Sequence, residues 1–494
     1  MEIKFNEFLK EELTIEQIQT AMEKGELTSK ELVMYYLYRI AKYDQDGPKL
    51  NSIIEVNPDA IFIAEALDQE RKLKGPRGLL HGIPVLLKDN IETNDFMHTS
   101  AGTLALSNYS SEEDAFLVKK LREAGAVILG KTNMTELANG MSSEMWAGYS
   151  ARGGQVLNPY GDSLFVGGSS SGSAVAVAAN LTVLSVGTET DASILSPAIN
   201  NSVVGIKPTV GLISRSGLIP FTYSQDTAGP IARNVTDAAI LLGALTGVDE
   251  ADSATHRSIE QSVEDYSVFL DPNGLKNARI GVFVSEDDEF LKSDDYDEDL
   301  FKNVIETLKN EGAEVVEDIE LPSINRDWSY GVSLYELRHS LENFLAKLPN
   351  HIPVHSLQEL IDYNKKNSEI ALKYGQDKLE YRLTLSNTLR DSDYLLAKLE
   401  DLYYAQEHGI DAALDRYNLD AILFPSYIGS TISAKAGYPS IALPAGYLKN
   451  GKPFGVTFAS GAFKEGILIK IGYAFEQASK SRRKPELNYC ATVE

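Results

Sequence analysis

Apolar positions along the chain recur at two periods. Leu32, Val33, Tyr36 and Ile40 fall at helical spacing behind Thr28-Ser29-Lys30-Glu31, a capping-box pattern, and Thr14 opens an earlier helix. A third helical stretch over about residues 59–74 stops at the turn Gly75-Pro76-Arg77-Gly78. Unbroken apolar runs then take over. Val85-Leu86-Leu87, Ala126-Val127-Ile128-Leu129 and Thr182-Val183-Leu184-Ser185-Val186 read as buried strands, with a helix over residues 113–124 between the first two. Ala174-Val175-Ala176-Val177-Ala178-Ala179 is apolar on every side, the pattern of a helix buried all round. Residues 234–247 give another apolar helix ending at glycine, and alternation continues through a strand at 279–284, a helix at 299–310 and a strand at 313–316. Residues 328–416 are mainly helical, rich in Tyr and Leu, and expected to cap the mouth of a pocket. Asp420-Ala421-Ile422-Leu423-Phe424 returns to strand, Asn450-Gly451 is a hairpin turn, and residues 465–478 form the closing helix. With no internal repeat or long linker, the pattern predicts one α/β unit carrying a helical insertion.

Composition narrows the class. The 494 residues are 43% hydrophobic and 24% charged, ordinary for a globular protein, and 46 basic against 71 acidic side chains leave a net charge of −25. Such a balance argues against nucleic acid and anionic membrane surfaces as partners. The single Cys490 excludes an intramolecular disulfide and a cysteine zinc cluster. Neither a signal-peptide layout nor an apolar run of about 18 residues is present, so a cytoplasmic enzyme, monomeric or homodimeric, is expected. The acidic stretches Glu286-Asp287-Asp288-Glu289 and Asp294-Asp295-Tyr296-Asp297-Glu298-Asp299 lack glycine-punctuated calcium-loop spacing and read as solvated loop.

Candidate chemistry gathers around Gly167-Gly168-Ser169-Ser170-Ser171-Gly172-Ser173 and Gly187-Thr188-Glu189-Thr190-Asp191-Ala192-Ser193. A helix of about ten residues rises roughly 15 Å and a strand of about six roughly 20 Å, so a chain going out on one and back on the other ends near its start. Ser169 and Ser193 are thereby expected at one end of a sheet. Lys88 ends the strand 85–87, where open α/β sheets place ligands.

Two motifs mislead. Gly125-Ala126-Val127-Ile128-Leu129-Gly130-Lys131-Thr132 matches the phosphate-loop pattern letter for letter, but its middle residues are themselves the predicted strand, so no loop is left to cradle phosphate. Gly168-Ser169-Ser170-Ser171-Gly172 fits a nucleophile elbow with Ser170 as nucleophile, which needs a later histidine: His256, His339, His351, His355 or His408. Most of these lie in polar helical surroundings, and the elbow remains the alternative. Without a suitable histidine, the remaining base for a serine nucleophile is a lysine made neutral by burial among apolar groups or by nearby cationic charge, and a second serine between the two could pass the proton along. Consecutive N–H groups of Thr190, Asp191, Ala192 and Ser193 then supply oxyanion donors. The constellation is that of acyl transfer.

Four ordered motifs resemble the amidase signature family: Gly82-Ile83-Pro84-Val85-Leu86-Leu87-Lys88-Asp89-Asn90, the two serine-bearing stretches, and Val204-Gly205-Ile206-Lys207-Pro208-Thr209. The likeness runs from about residue 60 to 247 and resumes at Leu423-Phe424-Pro425 and residues 437–444, through the final helix near Ala474. It implies a single large mixed β-sheet surrounded by helices. A single domain over 1–494 is expected, comprising a helical layer (1–75), a signature core (76–250), an acidic α/β segment (251–320), a helical insertion (321–416) and a return to the sheet (417–480). The resemblance also implies Ser193 as nucleophile, Ser169 as bridge at a non-proline cis peptide, Lys88 as base, and no metal or cofactor. The substrate is then a small-molecule or peptide amide, with the loop Met141-Ser142-Ser143 expected to help shape its pocket. Many members carry Gly-Gly before the nucleophile and arginine two residues after it; here Asp191-Ala192 precede and Leu195 follows, a form closer to bacterial peptide amidases. An amidotransferase component that passes ammonia to a partner, or an impaired binding homologue, are the other classes the resemblance admits.

Overall fold

Pairing decides where each apolar run ends. The computed structural model describes residues 9, 11–284, 289–323, 326, 328 and 331–487, so Glu286, Asp287, Asp288 and Cys490 lie outside the described residues. Its strands are β1 (Ile53–Val56), β2 (Pro84–Lys88), β3 (Val127–Thr132), the short pair β4 (Tyr149–Ser150) and β5 (Gly154–Gln155), β6 (Leu184–Glu189), β7 (Val204–Lys207), β8 (Thr227–Ala232), β9 (Arg279–Val282), β10 (Glu314–Val316), β11 (Ala421–Pro425), β12 (Ser440–Tyr447) and β13 (Pro453–Ala459). Eleven of them form one sheet in the order β1-β3-β2-β6-β8-β7-β12-β13-β11-β9-β10. β2 runs parallel to both β3 and β6, whereas β8 is antiparallel to β6 and β7, which makes the sheet mixed.

Two expected boundaries move. β3 continues past Leu129 to Thr132 because Lys88 of β2 pairs with Thr132, and every residue of β3 is buried. The phosphate-loop match is therefore strand through its Gly-Lys-Thr end, and the Lys131 ammonium donates to Ile91 O and to Thr99 Oγ1 at 2.8 Å. β6 starts two residues later than the apolar run suggests and extends to Glu189, held by the antiparallel pair Glu189↔Thr227.

Helices cover both faces. Ser171–Ala178 is buried along its whole length, as its uniformly apolar sequence requires. Ile15–Glu23 and Ser29–Arg39 each open with a complete capping box at Thr14 and Thr28. Arg39 then ties this outer layer to the end of the buried helix, donating to Asn180 O at 2.6 Å and Ala179 O at 2.9 Å. The insertion contains Gly331–Leu345, Leu357–Lys366, Asp377–Leu383, Ser392–Ala405 and Asp411–Tyr417. Its leucines build a second apolar cluster, in which Leu337, Leu341 and Leu357 meet Met134, Leu137, Met141 and Ile219 of the core.

Candidate active site

Lys88 is delivered by β2, all of whose residues are buried, so its ammonium ends inside the protein. Nζ has three oxygen neighbours: Ser169 Oγ at 2.7 Å, Thr188 Oγ1 at 2.8 Å and Thr188 O at 3.1 Å. Three acceptors match the three N–H bonds of an ammonium. A neutral amine keeps Thr188 O and Thr188 Oγ1 as acceptors and accepts a hydrogen bond from the Ser169 hydroxyl instead. Burial brings the Lys88 pKa down to about 7, with the charges of Asp226 and Glu189 opposing the fall. Both forms are therefore populated near neutrality.

Ser169 lies one residue before Ser170, and the Gly168–Ser169 peptide bond is cis. The serine-bearing stretch fits because Gly172 has no side chain: a β-carbon there would stand 2.3 Å from Ser52 O and 2.4 Å from Asn133 O. Thr135 N donates to Ser169 O at 3.1 Å, and Ser170 N donates to Ser193 O at 3.1 Å, which joins the two serine-bearing segments. The Ser193 hydroxyl donates to Asp191 O at 3.4 Å, a long bond, and the residue is 8% exposed. Ser170, the nucleophile of the elbow alternative, is fully buried, donates to Thr188 O at 2.9 Å and accepts from Thr188 N at 3.1 Å. Among the described residues, no histidine hydrogen-bonds to it.

Between β6 and the helix Leu195–Asn200 the chain reverses at Thr190, Asp191, Ala192 and Ser193. Among the described residues the backbone N–H groups of these four make no hydrogen bond, while those of Ile194 and Leu195 both reach Glu189 Oε2, at 2.6 and 3.0 Å. Ala192 adopts φ +59°, the left-handed region that favours glycine. The chain thus keeps the backbone of a glycine turn with a methyl group on it.

Several groups around this centre are not singled out by sequence reasoning. Asn90 Nδ2 donates to Thr188 Oγ1 at 3.1 Å, and Thr190 Oγ1 donates to Asp226 Oδ1 at 2.5 Å. Asn90, Thr188 and Glu189 stand inside the family motifs, so their proximity to Lys88 is signalled although their partners are not. Asp226 also lines a cavity of about 940 Å³ that reaches under the insertion, where Glu336, Phe344 and Tyr394 form the far wall. The loop expected to shape the pocket does something more specific. Met141 is fully buried in the second apolar cluster, Ser142 Oγ donates to Tyr374 O at 2.5 Å, and Ser143 N and Oγ both donate to Asp377, at 3.0 and 2.8 Å. These polar groups fasten the insertion to the core, and the structure does not bring them to the Lys88–Ser169 pair by any hydrogen bond.

The Amidase family's sequence model matches residues 31–469. A probable amidase of Arabidopsis thaliana is 42% identical over 487 residues, spanning 96% of this chain and 92% of its own. The native peptide amidase of Stenotrophomonas maltophilia, 43% identical, superposes with a TM-score of 0.91 over 96% of this chain and 99% of its own. A glutamyl-tRNA(Gln) amidotransferase chain from Halorhodospira halophila is 33% identical over 94% of this chain and 97% of its own. On its motifs, its mixed sheet and these relatives, the chain belongs to the amidase family.

Proposed function

We propose that the protein hydrolyses a linear carboxamide, with C-terminal peptide amides as the favoured class, through an acyl-enzyme on Ser193. Ser193 Oγ attacks the carbonyl carbon and passes its proton to Ser169 Oγ as Ser169 gives its own to neutral Lys88 Nζ. Negative charge gathers on the carbonyl oxygen, and the N–H groups of Thr190, Asp191, Ala192 and Ser193 are the donors for it. Collapse breaks the C–N bond, and the proton on Lys88 returns through Ser169 to the departing ammonia or amine. Water repeats the sequence on the ester and releases the carboxylate. No metal or cofactor enters this scheme.

The observation that carries the reading is the buried Lys88 ammonium, 2.7 Å from Ser169 Oγ and poised near pH 7, beside a turn whose four N–H groups are unpaired among the described residues. The substrate class rests on the likeness to a peptide amidase over nearly the whole of both chains. An amidotransferase role has weaker support, since that relative is less similar and Leu195 stands where many members carry arginine.

The test is intact mass and peptide mapping after treatment with a fluorophosphonate, on wild type and Ser193→Ala, followed by ammonia release from amidated peptides. A single adduct on Ser193 and hydrolysis of an amidated peptide are expected. Modification of Ser170, or ammonia release only from glutamine with a partner protein present, would overturn the proposal.

A further inference from the structure

Beneath the Ser193 turn lies a set of buried ionisable groups that the proton path does not use. Glu189, the last residue of β6, is 1% exposed, and its Oε1 is buried without a hydrogen-bond partner among the described residues. Lys207, the last residue of β7, is fully buried and donates to Pro208 O at 3.2 Å. Asp191 Oδ2 accepts from Thr431 Oγ1 at 2.9 Å, and Glu465 Oε1 accepts from Thr209 N at 2.7 Å.

The first N–H groups of a helix have no partner within it and must find one elsewhere. At the helix that follows Ser193 they are divided. Glu189 Oε2 takes those of Ile194 and Leu195, and Ala192 O takes that of Ser196 at 2.8 Å. The N–H groups before them, from Thr190 to Ser193, stay unpaired among the described residues. The boundary between claimed and unclaimed donors falls at the nucleophile. Without an acceptor below, Ile194 and Leu195 would lose the anchor that fixes the rotation of the peptide planes on either side of Ser193.

We propose that Glu189 is a positioning residue for acyl transfer, holding Ile194 and Leu195 so that the four preceding N–H groups keep the orientation an oxyanion needs, with Lys207 as the buried counter-charge. The inference rests on the acyl-enzyme reading. Burial raises the Glu189 carboxyl to about 7, and Lys207, with the two N–H groups, pulls against it. Lys207 in turn is lowered to about 8 by burial, against Glu189, Glu465 and Asp191. The charges facing Glu189 are thus Lys207 and Asp191, and Glu189 itself acts on Lys88.

Glu189→Gln and Glu189→Asp separate the two parts of this role. Glutamine keeps the reach and loses the charge; aspartate keeps the charge and falls short by one methylene. The readout is fluorophosphonate modification of Ser193 as a function of probe concentration and pH, with thermal melting as the check on folding. Both variants are expected to lower the limiting rate about tenfold or more, with the apparent KI within about twofold, since the oxyanion forms only beyond the bound state. The acid limb of the rate should shift to lower pH in Glu189→Gln, because an anion that raises Lys88 is gone, and should stay in place in Glu189→Asp. A folded variant of either kind that reacts at the wild-type limiting rate overturns the proposal. So does a loss confined to KI. Should Glu189→Gln fail to fold, Glu189→Asp decides alone. Wild type that leaves Ser193 unmodified would instead remove the acyl-enzyme reading itself, a separate outcome.

Discussion

Thr188→Val isolates what sets the working pH of Lys88. The change is nearly isosteric and deletes one oxygen, the Oγ1 that lies 2.8 Å from Nζ, while the backbone acceptor Thr188 O is retained. A hydrogen bond to a charged group contributes about 1.5–3 kcal/mol and one to a neutral group about 1 kcal/mol, so deletion disfavours the ammonium over the amine by about 1–1.5 kcal/mol. At about 1.4 kcal/mol per pH unit, the Lys88 midpoint should fall from about 7 to about 6. The sign follows from the protonation state that works. On the proposed mechanism the base must be neutral, so activity rises with pH through the lysine midpoint, and lowering that midpoint carries activity to more acidic solutions. At pH 6 about half of the variant's lysine is neutral against about a tenth in wild type, a gain of about fivefold in competent enzyme. The assay is kcat/KM for ammonia release from an amidated peptide, or the rate of fluorophosphonate modification, measured from pH 5 to 9 with melting checked at each pH. Asn90 Nδ2 loses its acceptor in the variant, so a small fall in stability is expected beside the shift. A limb that stays at the wild-type position, or moves to higher pH, would refute the reasoning.

Ser193→Ala should abolish turnover, and Ser169→Ala should leave a small residue of it, because nucleophile and base remain while the path between them is cut. Ser170→Ala should keep Ser193 reactive, since its hydroxyl is occupied by Thr188; peptide mapping of the adduct separates these cases. Lys88→Met should be inactive yet melt higher than wild type below about pH 8. The native lysine is held below its unfolded pKa of about 10.4, so the unfolded chain binds more protons between those values, stability rises with pH there, and the full burial cost is present below about 7. Ala192→Gly should leave stability within about 1 kcal/mol, because relief of the left-handed backbone is offset by the added freedom of the unfolded chain, while Ala192→Val should destabilise and slow acylation; melting and modification rates test both.

The parts of the candidate site that each lie on one continuous run are legible in the sequence. Lys88 ends an apolar strand, and the small residues around Ser169 and Ser193 mark where backbone must approach closely, as Gly172 does. Asp226 and Lys207 were not legible as neighbours of that site. Asp226 reaches Thr190 just beyond the pair Glu189↔Thr227, and nothing in a sequence sets the register of two strands so far apart. The ends of β3 and β6 moved for the same reason, since pairing carried both beyond their apolar runs. Met141-Ser142-Ser143 read as a pocket loop because its partner, the stretch around Tyr374 and Asp377, comes from an insertion whose docking face no local pattern reveals.

The sheet order also times the birth of the site. The Ser193 turn leads through one short helix into β7, and the far neighbour of β7 is β12, formed by residues Ser440–Tyr447. A nascent chain leaving the ribosome carries Lys88 and both serines long before the strand that covers the far edge of β7 has been translated. On the proposed mechanism, competence therefore waits until β12 has been made, and a chain that stops ahead of β12 leaves the edge of β7 open.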